Sequence, residues 1–574
     1  MTVRTPDRAG RAGLAGIALS VACTFIVAGC GPSVMEPALR GRPGQPPWAL
    51  DPHVSAYLAV GLTAVALAAG TAGLVLVLRA TRAGWTVSAR AVLLAGIAAA
   101  ALLTLLPPFG SSDQLSYAAY GRMVATGHNP YLTTPAQLAA TGDPVAGAVQ
   151  DWFHATSVYG PLASGIQGLA SLIGGTSVRL TVFCLGVANL AAFVITALLL
   201  HRMTRTRQDR QLRAALLWTA NPLLLQVLVA GAHVDGQEIA CCVAAAAVMY
   251  GPWNHNDGGV TARIPAPSRA LAAGVLVGLG FAIKVTAALV GLGFAIALLL
   301  MGRAVWRRIA AALGALAAGF AVTAGAALAI GGSAMLTTTS QASDMVSIGS
   351  PWRVIRTGLQ HLAGYDTATD LVKAGAVALA VALAVLLVRG LPGVLGEDRA
   401  AIVPLALVLG WLFAWPYVLP WYDALGWALL ALVPASGVDW LVLARTAALG
   451  FAYLPARTAG VTLPSGLSWV QPVFRNGVAP VVLTIVVVWL AVLMWRAGRG
   501  KTPAGPDVPM TARNLYSASG DISSVRSARA VGRSDRNPDG DDRAPACHQG
   551  GEGVHGTDQR QCRLPWDRRS SRAA

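Results

Sequence analysis

The sequence predicts an all-α polytopic membrane protein. Of its 574 residues only 12% are charged, while 55% are hydrophobic; a soluble domain carries about 25% charged residues. Apolar runs of roughly 17 to 25 residues, enough to cross ~30 Å of hydrocarbon, recur along most of the chain. Backbone groups facing lipid must be paired within their own segment, so Ala-, Leu-, Val- and Gly-rich runs of this length are helices rather than barrel strands. The expectation is a bundle of about 12–14 transmembrane helices with a large first external loop.

The first run, Gly13 to Cys30, follows a short Arg-bearing segment, residues 1–12, and ends in Val27-Ala28-Gly29-Cys30, similar to a bacterial lipobox. It is either a first span or a cleaved lipoprotein signal, and both readings leave Pro32 to Asp51 outside. Ser55 to Leu78 returns to Arg79, Arg82 and Arg90, and Ala91 to Leu106 exits, which makes residues 107–177 external. Val178 to Leu200 runs into Arg202, Arg205, Arg207, Arg210 and Arg213, the strongest positive-inside signal of the chain. Ala214 to Ala230 exits and Gln237 to Tyr250 returns to Arg263 and Arg269. Leu271 to Ile283 and Val285 to Met301 form a pair broken at Lys284, with Arg303, Arg307 and Arg308 inside. Ile309 to Ile330 exits, Ser333 to Asp366 is external, and Leu371 to Leu387 returns to Arg389 and Arg399. Ala401 to Tyr417, Leu425 to Pro434, Val438 to Leu454 and Val478 to Trp495 complete the membrane domain, residues 13–497. Both termini then lie in the cytoplasm.

Residues 498–574 change to Arg, Ser, Asp and Gly, the composition of a disordered basic cytoplasmic tail. The net charge of +17 sits in short loops and in this tail, a sign of topology rather than of nucleic-acid binding. The seven cysteines show neither a disulfide framework nor zinc-ligand spacing, and Cys547, His548, His555 and Cys562 of the tail read as an accidental cluster. No metal is assigned.

Ionisable groups at a membrane tend to mark function, and here they collect outside. After Leu106-Pro107-Pro108 the first loop reads Ser111-Ser112-Asp113-Gln114-Leu115-Ser116-Tyr117-Ala118-Ala119-Tyr120-Gly121-Arg122. Ser111 or Ser112 can cap a helix that places Asp113, Tyr117 and Tyr120 on one face, although a first-turn carboxylate is also favoured by the helix dipole alone. Gly127-His128-Asn129-Pro130-Tyr131, Asp143-Pro144, Trp152 and Ser157-Val158-Tyr159-Gly160-Pro161 follow. A loop of about 70 residues is functional or disordered, and this density of aromatics, Gly and Pro argues for order. Further external turns add His233-Val234-Asp235-Gly236-Gln237-Glu238, Lys284, Ser350-Pro351-Trp352-Arg353-Val354-Ile355-Arg356 and Trp415 to Asp423. Indole and phenol faces pack on sugar rings and Arg binds phosphate, so one surface holds what a sugar phosphate requires. Each aromatic is equally suited to anchoring at the interface, and Lys284 to snorkelling.

On these residues the chain resembles the multi-helix glycosyltransferases of the GT-C fold. Among them it is similar to the polyprenol-phosphomannose-dependent α-1,6-mannosyltransferases of actinobacterial lipomannan and lipoglycan synthesis. The resemblance covers residues 55–495. It rests on Ser112-Asp113 through Tyr117, Tyr120-Gly121-Arg122, Asn129-Pro130-Tyr131, Ser157 to Pro161, Asn221-Pro222, Gly231 to Gly236, Ile283-Lys284-Val285-Thr286, Ser350 to Arg353 and Pro420-Trp421-Tyr422.

The resemblance implies transfer of mannose from a β-linked polyprenyl-phosphate donor to an α-linked product on a mannan or lipoglycan acceptor, hence a single displacement with inversion. It places the enzyme in a bacterial plasma membrane with the site facing outside, and implies no metal and no cofactor beyond the lipid donor. Phosphate leaves without a general acid, whereas the acceptor hydroxyl needs a base. Asp113 is the expected base, with Asp235 second and His233 beside it on the cavity floor. Lys284, Arg353 and Arg356 are the expected donor-phosphate contacts. Tyr117, Tyr120, Arg122, Tyr159, Trp352, Trp421 and Tyr422 are the expected sugar or acceptor contacts. The rivals are a sister transferase using arabinose or glucose, a lipid or sugar transporter or flippase, and a sugar-binding membrane protein without catalysis, which would not need Asp113.

Overall fold

The computed structural model describes residues 5–251, 264–395, 399–456 and 462–499. The expected tail beyond Arg499, with its Cys and His cluster, and Arg263 lie outside the described residues. The helices are, in chain order, α1 (Thr5–Cys30), α2 (Ala56–Arg82), α3 (Ala89–Thr104), α4 (Asp113–Ala125), α5 (Pro135–Ala139), α6 (Pro161–Gly174), α7 (Val178–Met203), α8 (Gln208–Leu217), α9 (Pro222–Leu224), α10 (Asp235–Tyr250), α11 (Pro267–Phe281), α12 (Ala287–Leu299), α13 (Trp306–Ser343), α14 (Pro351–Ala363), α15 (Tyr365–Leu395), α16 (Arg399–Ala414), α17 (Asp423–Leu430), α18 (Val438–Ala452) and α19 (Ala479–Arg499). Among the described residues there is no strand, only an isolated bridge between Ser33 and Glu36.

Among the described residues, seven helical segments are long and apolar enough to cross a membrane: Pro6–Cys30, Ala56–Arg82, Val178–Met203, Gln208–Ala230, Trp306–Ser343, Tyr365–Pro392 and Ser465–Arg499. Four shorter apolar helices accompany them, Ala89–Thr104, Pro267–Phe281, Ala287–Leu299 and Ala401–Ala414. The protein is a multi-pass membrane protein, and every apolar run read from the sequence coincides with a helix. The run from Leu425 to Pro434 forms only the short helix α17. All eight residues of α17 are buried, and a helix that short rises only ~12 Å. Surrounded by protein rather than lipid, it escapes the length that hydrocarbon imposes.

Several helices are interrupted where the site forms. Asn221 accepts from the Leu223 and Leu224 amides at 3.1 and 3.4 Å, capping α9 with Pro222 at its first position. The chain continues as a π-turn, Leu225–Ala230. In α13 Gly332 takes φ 64°, ψ −168°, a conformation open to glycine and costly for other residues, and it kinks the helix where the sequence reading ended the span at Ile330.

The arginine run after α7 divides. Arg205 and Arg207 are exposed, whereas Arg213 is buried and grips Asp439 with both terminal nitrogens, at 2.8 and 2.7 Å. Arg82 reaches the same carboxylate at 2.6 Å, and Arg213 also donates to the carbonyls of Val433 and Leu430. This cluster ties α2, α8 and α18 together.

Candidate active site

Asp113 opens α4. Ser112 occupies the cap position without a side-chain cap bond; instead the Ser111 hydroxyl accepts from the Asp113 amide at 3.1 Å, while the Ser112 hydroxyl donates to Asp151. The Ser116 hydroxyl donates to the Asp151 carbonyl at 3.0 Å. These bonds bring the segment carrying Trp152 over the start of α4. Its indole N–H donates to Asp113 Oδ1 at 3.2 Å.

The break between α11 and α12 is satisfied from the same loop. A helix end leaves its last carbonyls without intrahelical donors; here the amides of Gly160 and Leu162 donate to Ile283 and Ala282 oxygens at 3.0 and 2.9 Å. A Cβ on Gly160 would stand 2.2 Å from the Ala282 oxygen, so only glycine permits this approach. It sets Tyr159 beside the broken helix that carries Lys284. Tyr159 donates to the Tyr117 hydroxyl at 3.3 Å, their rings meeting edge to face at 5.2 Å.

The turn before α10 is held by Asn189 of α7. Its amide donates to the Ala232 carbonyl at 2.8 Å and its oxygen accepts from Gln237 at 2.7 Å. Ala232 has φ 51°, uncommon for a residue with a Cβ. The turn fixes His233 and Asp235. His233 is 1% exposed, with Nδ1 3.7 Å from Asp113 Oδ2 and 3.3 Å from the Tyr117 hydroxyl. Its ring stacks on Trp421 at 3.6 Å and 13°. Asp235 Oδ1 binds Lys284 Nζ at 2.5 Å, and that ammonium lies 3.7 Å from the Tyr422 ring centre. On the far side of the break, Thr286 donates to Glu238 at 2.6 Å.

The result is a cavity of about 470 Å³ whose wall includes Asp113, Tyr117, Tyr120, Tyr159, Lys284 and Tyr422. Six of the residues singled out in the sequence thus meet. A second cavity of about 540 Å³ adjoins it through Trp152, Gln341, Met345 and Tyr417, and holds Arg356 and Arg475. Burial raises the Asp113 carboxyl to about 7, against the Trp152 bond that lowers it, with Asp151 and Asp235 adding repulsion. Burial, then Lys284, holds His233 well below its ordinary value, so it is neutral beside Asp113.

Other expected contacts do not reach the cavity. Arg122 is bound to Asp143 at 2.7 Å, where it staples the loop. Trp352 donates its indole N–H to the Ala414 carbonyl at 2.7 Å and anchors α14. Arg353 is exposed on α14 and lines neither cavity. Trp421 is 4% exposed with one face covered by His233, so it supports the site from behind. Asp235 is spent on Lys284. Asp423, the end of the same sequence cluster, is buried on Arg445.

Sequence reasoning gave no site role to Trp152, Glu238 or Arg475. Trp152 was visible in the loop, but its bond to Asp113 spans 39 residues and has no local signal. Arg475 and Arg457 are the two cations between the last two apolar runs, and neither spacing nor composition singles out Arg475, which lines a cavity.

The family model described as "Alpha-(1->6)-mannopyranosyltransferase, N-terminal domain" matches residues 10–303, just over half of the chain. The chain belongs to this family. An alpha-(1->6)-mannopyranosyltransferase of Mycobacterium tuberculosis is 32% identical over 133 residues, 23% of this chain and 22% of the relative. Alpha-(1->6)-mannopyranosyltransferase B of Corynebacterium glutamicum is 28% identical over 132 residues, again 23% and 22%. The matched stretch thus spans about a fifth of either relative. Among solved structures, ArnT from Cupriavidus metallidurans in the apo state gives a TM-score of 0.34 at 16% identity, covering 65% of this chain and 70% of that one. The archaeal oligosaccharyltransferase AglB from Archaeoglobus fulgidus gives 0.29 at 14%, covering 71% and 56%. Similarity this low carries no argument about the site.

Proposed function

We propose that this member of the alpha-(1->6)-mannopyranosyltransferase family is an inverting GT-C-type glycosyltransferase. It moves mannose from a polyprenyl-phosphate donor to a hydroxyl of a mannan or lipoglycan acceptor, on the outer face of a bacterial plasma membrane, forming an α-1,6 linkage. The observation that carries the reading is Asp113: a carboxylate at the wall of a mostly apolar cavity, oriented by an indole and held near neutrality by burial. A general base works best with a pKa near the operating pH.

In the proposed step the acceptor hydroxyl gives its proton to Asp113 as its oxygen bonds to the sugar C1. The bond from C1 to the phosphate oxygen breaks, and polyprenyl phosphate leaves with the electron pair. Tyr117, Tyr120 and Tyr159 offer ring faces and hydroxyls to the sugars. Lys284 answers the charge developing on the departing phosphate, its ammonium fixed by Asp235 so that no reorientation is needed at the moment of reaction. Arg356, in the adjoining cavity, is the other candidate phosphate contact. The apolar lining suits an isoprenoid chain.

The test uses membranes containing the protein, labelled polyprenyl-phosphate mannose and short α-mannosides. Transfer from the mannosyl lipid is expected, lost in Asp113→Asn at equal expression. A requirement for arabinosyl or glucosyl lipid redirects the donor to another sugar, and absence of transfer from any of the three refutes the enzymatic reading.

A further inference from the structure

The helix α14 has a clean division of faces and no buried residue. At 100° per residue, Val354, Ile355 and Leu362 fall on one arc, with Arg353 and Arg356 on the other. The three apolar side chains are 67%, 45% and 86% exposed. On a water-facing helix such an arc is a liability.

The surroundings name what covers it. The helices before and after α14, α13 and α15, both contain membrane-crossing segments, Trp306–Ser343 and Tyr365–Pro392. The connection between two such segments sits at a membrane boundary, and α14 occupies most of it. Trp352 ties the start of α14 to the Ala414 carbonyl, and Tyr365 stands exposed at its other end; tryptophan and tyrosine favour that depth. An amphipathic helix with cations on its polar face lies in the headgroup layer. From the polar face Arg356 turns inward, donating to the Tyr365 hydroxyl at 3.5 Å and lining the cavity that adjoins the Asp113 site.

We propose that α14 lies along the headgroup layer of the leaflet on the Asp113 side and forms the threshold across which a lipid-phosphate substrate passes from the bilayer into the paired cavities. Its apolar arc holds the helix among acyl chains, and Arg353 and Arg356 sit at phosphate level, Arg356 at the cavity side. This rests on the lipid-linked donor proposed above, extending it to the route of entry.

Two measurements test it on the full chain in phosphatidylcholine vesicles. A fluorophore on Leu362→Cys, with the native cysteines replaced, should be quenched by brominated acyl chains; lack of quenching overturns the membrane placement, whether or not the protein transfers sugar. For the route, Val354, Ile355 and Leu362 are changed together to Ser, with Leu362→Gln alone as the milder variant. KM for a long-chain polyprenyl-phosphate mannose should rise about tenfold for the triple variant, with kcat retained, as expected when an apolar face of this size leaves the interface. A water-soluble five-carbon isoprenyl-phosphate mannose should be unaffected. Equal effects on both donors, or none on either, overturn the threshold. If the unaltered protein uses neither donor, the proposed reaction falls and the route with it, while quenching still decides where α14 lies.

Discussion

The Trp152 indole N–H donates to Asp113 Oδ1 at 3.2 Å across 39 residues of sequence. This bond favours the charged carboxylate, whereas burial disfavours it and prevails. The carboxylate is therefore poised near neutrality, as the proposed role of base requires.

A pH profile follows. Asp113 accepts a proton only when ionised, so kcat/KM should rise with pH through a midpoint of about 7. Trp152→Phe keeps an aromatic ring but removes the donor that lowers this pKa, so its acid limb should move to higher pH, by about one unit. A limb that stays in place or moves to lower pH would separate the titration from Asp113.

The two carboxylates near the cavity should respond differently. Asp113→Asn removes basicity with little change of shape and should lower turnover at saturating donor by about 10² to 10⁴-fold, leaving donor KM nearly unchanged. Asp235→Asn instead frees Lys284, so its main effect should be on donor KM. Abolished turnover in Asp235→Asn with near-normal turnover in Asp113→Asn would reassign the base.

Asp439 gives a prediction on stability. It is wholly buried beneath Arg213 and Arg82, and removing one partner of a buried pair typically costs about 3–5 kcal/mol because the remaining charge is uncompensated. Asp439→Ala should lower the thermal midpoint in detergent by several degrees. Asp209→Ala, breaking the exposed pair with Arg207, should change it little, since surface pairs contribute about 0–1 kcal/mol. Similar midpoints for both variants would show that the buried cluster adds no net stability.

The helices were legible because hydrocarbon imposes length and apolarity, and the break at Lys284 because an ammonium interrupts an apolar run. Asp113, Tyr117, Tyr120 and Tyr159 were legible because polar residues crowd one ordered loop. The rotation of each helix was not. Arg122 lies on the same short helix as Tyr117 and Tyr120, yet turns to Asp143. Trp352 and Arg353 share a motif with Arg356, but of the three only Arg356 lines either of the two adjoining cavities. Arg213 reads in the sequence only as the end of the positive-inside arginine run; Asp439, 226 residues away, draws it inside, a partnership that neither spacing nor composition announces.

The remaining prediction concerns which face of the membrane carries Asp113. Gln137, exposed on α5 within the loop that holds Asp113, and Arg205, exposed after α7, provide one reporter for each side. Arg202 closes the last turn of α7 and Arg205 and Arg207 follow directly on it, and orientation depends on Lys and Arg close to a span rather than on net charge, so the Asp209 partner of Arg207 does not cancel the signal. In a background lacking native cysteines, Gln137→Cys should react with an impermeant maleimide added to intact cells, and Arg205→Cys only after permeabilisation. Equal expression and retained transfer are needed for both variants, because a misinserted chain would also label. The reverse pattern would place Asp113 in the cytoplasm, where a donor displayed on the outer leaflet cannot reach it, and the proposed reaction would have to draw on an inward-facing substrate.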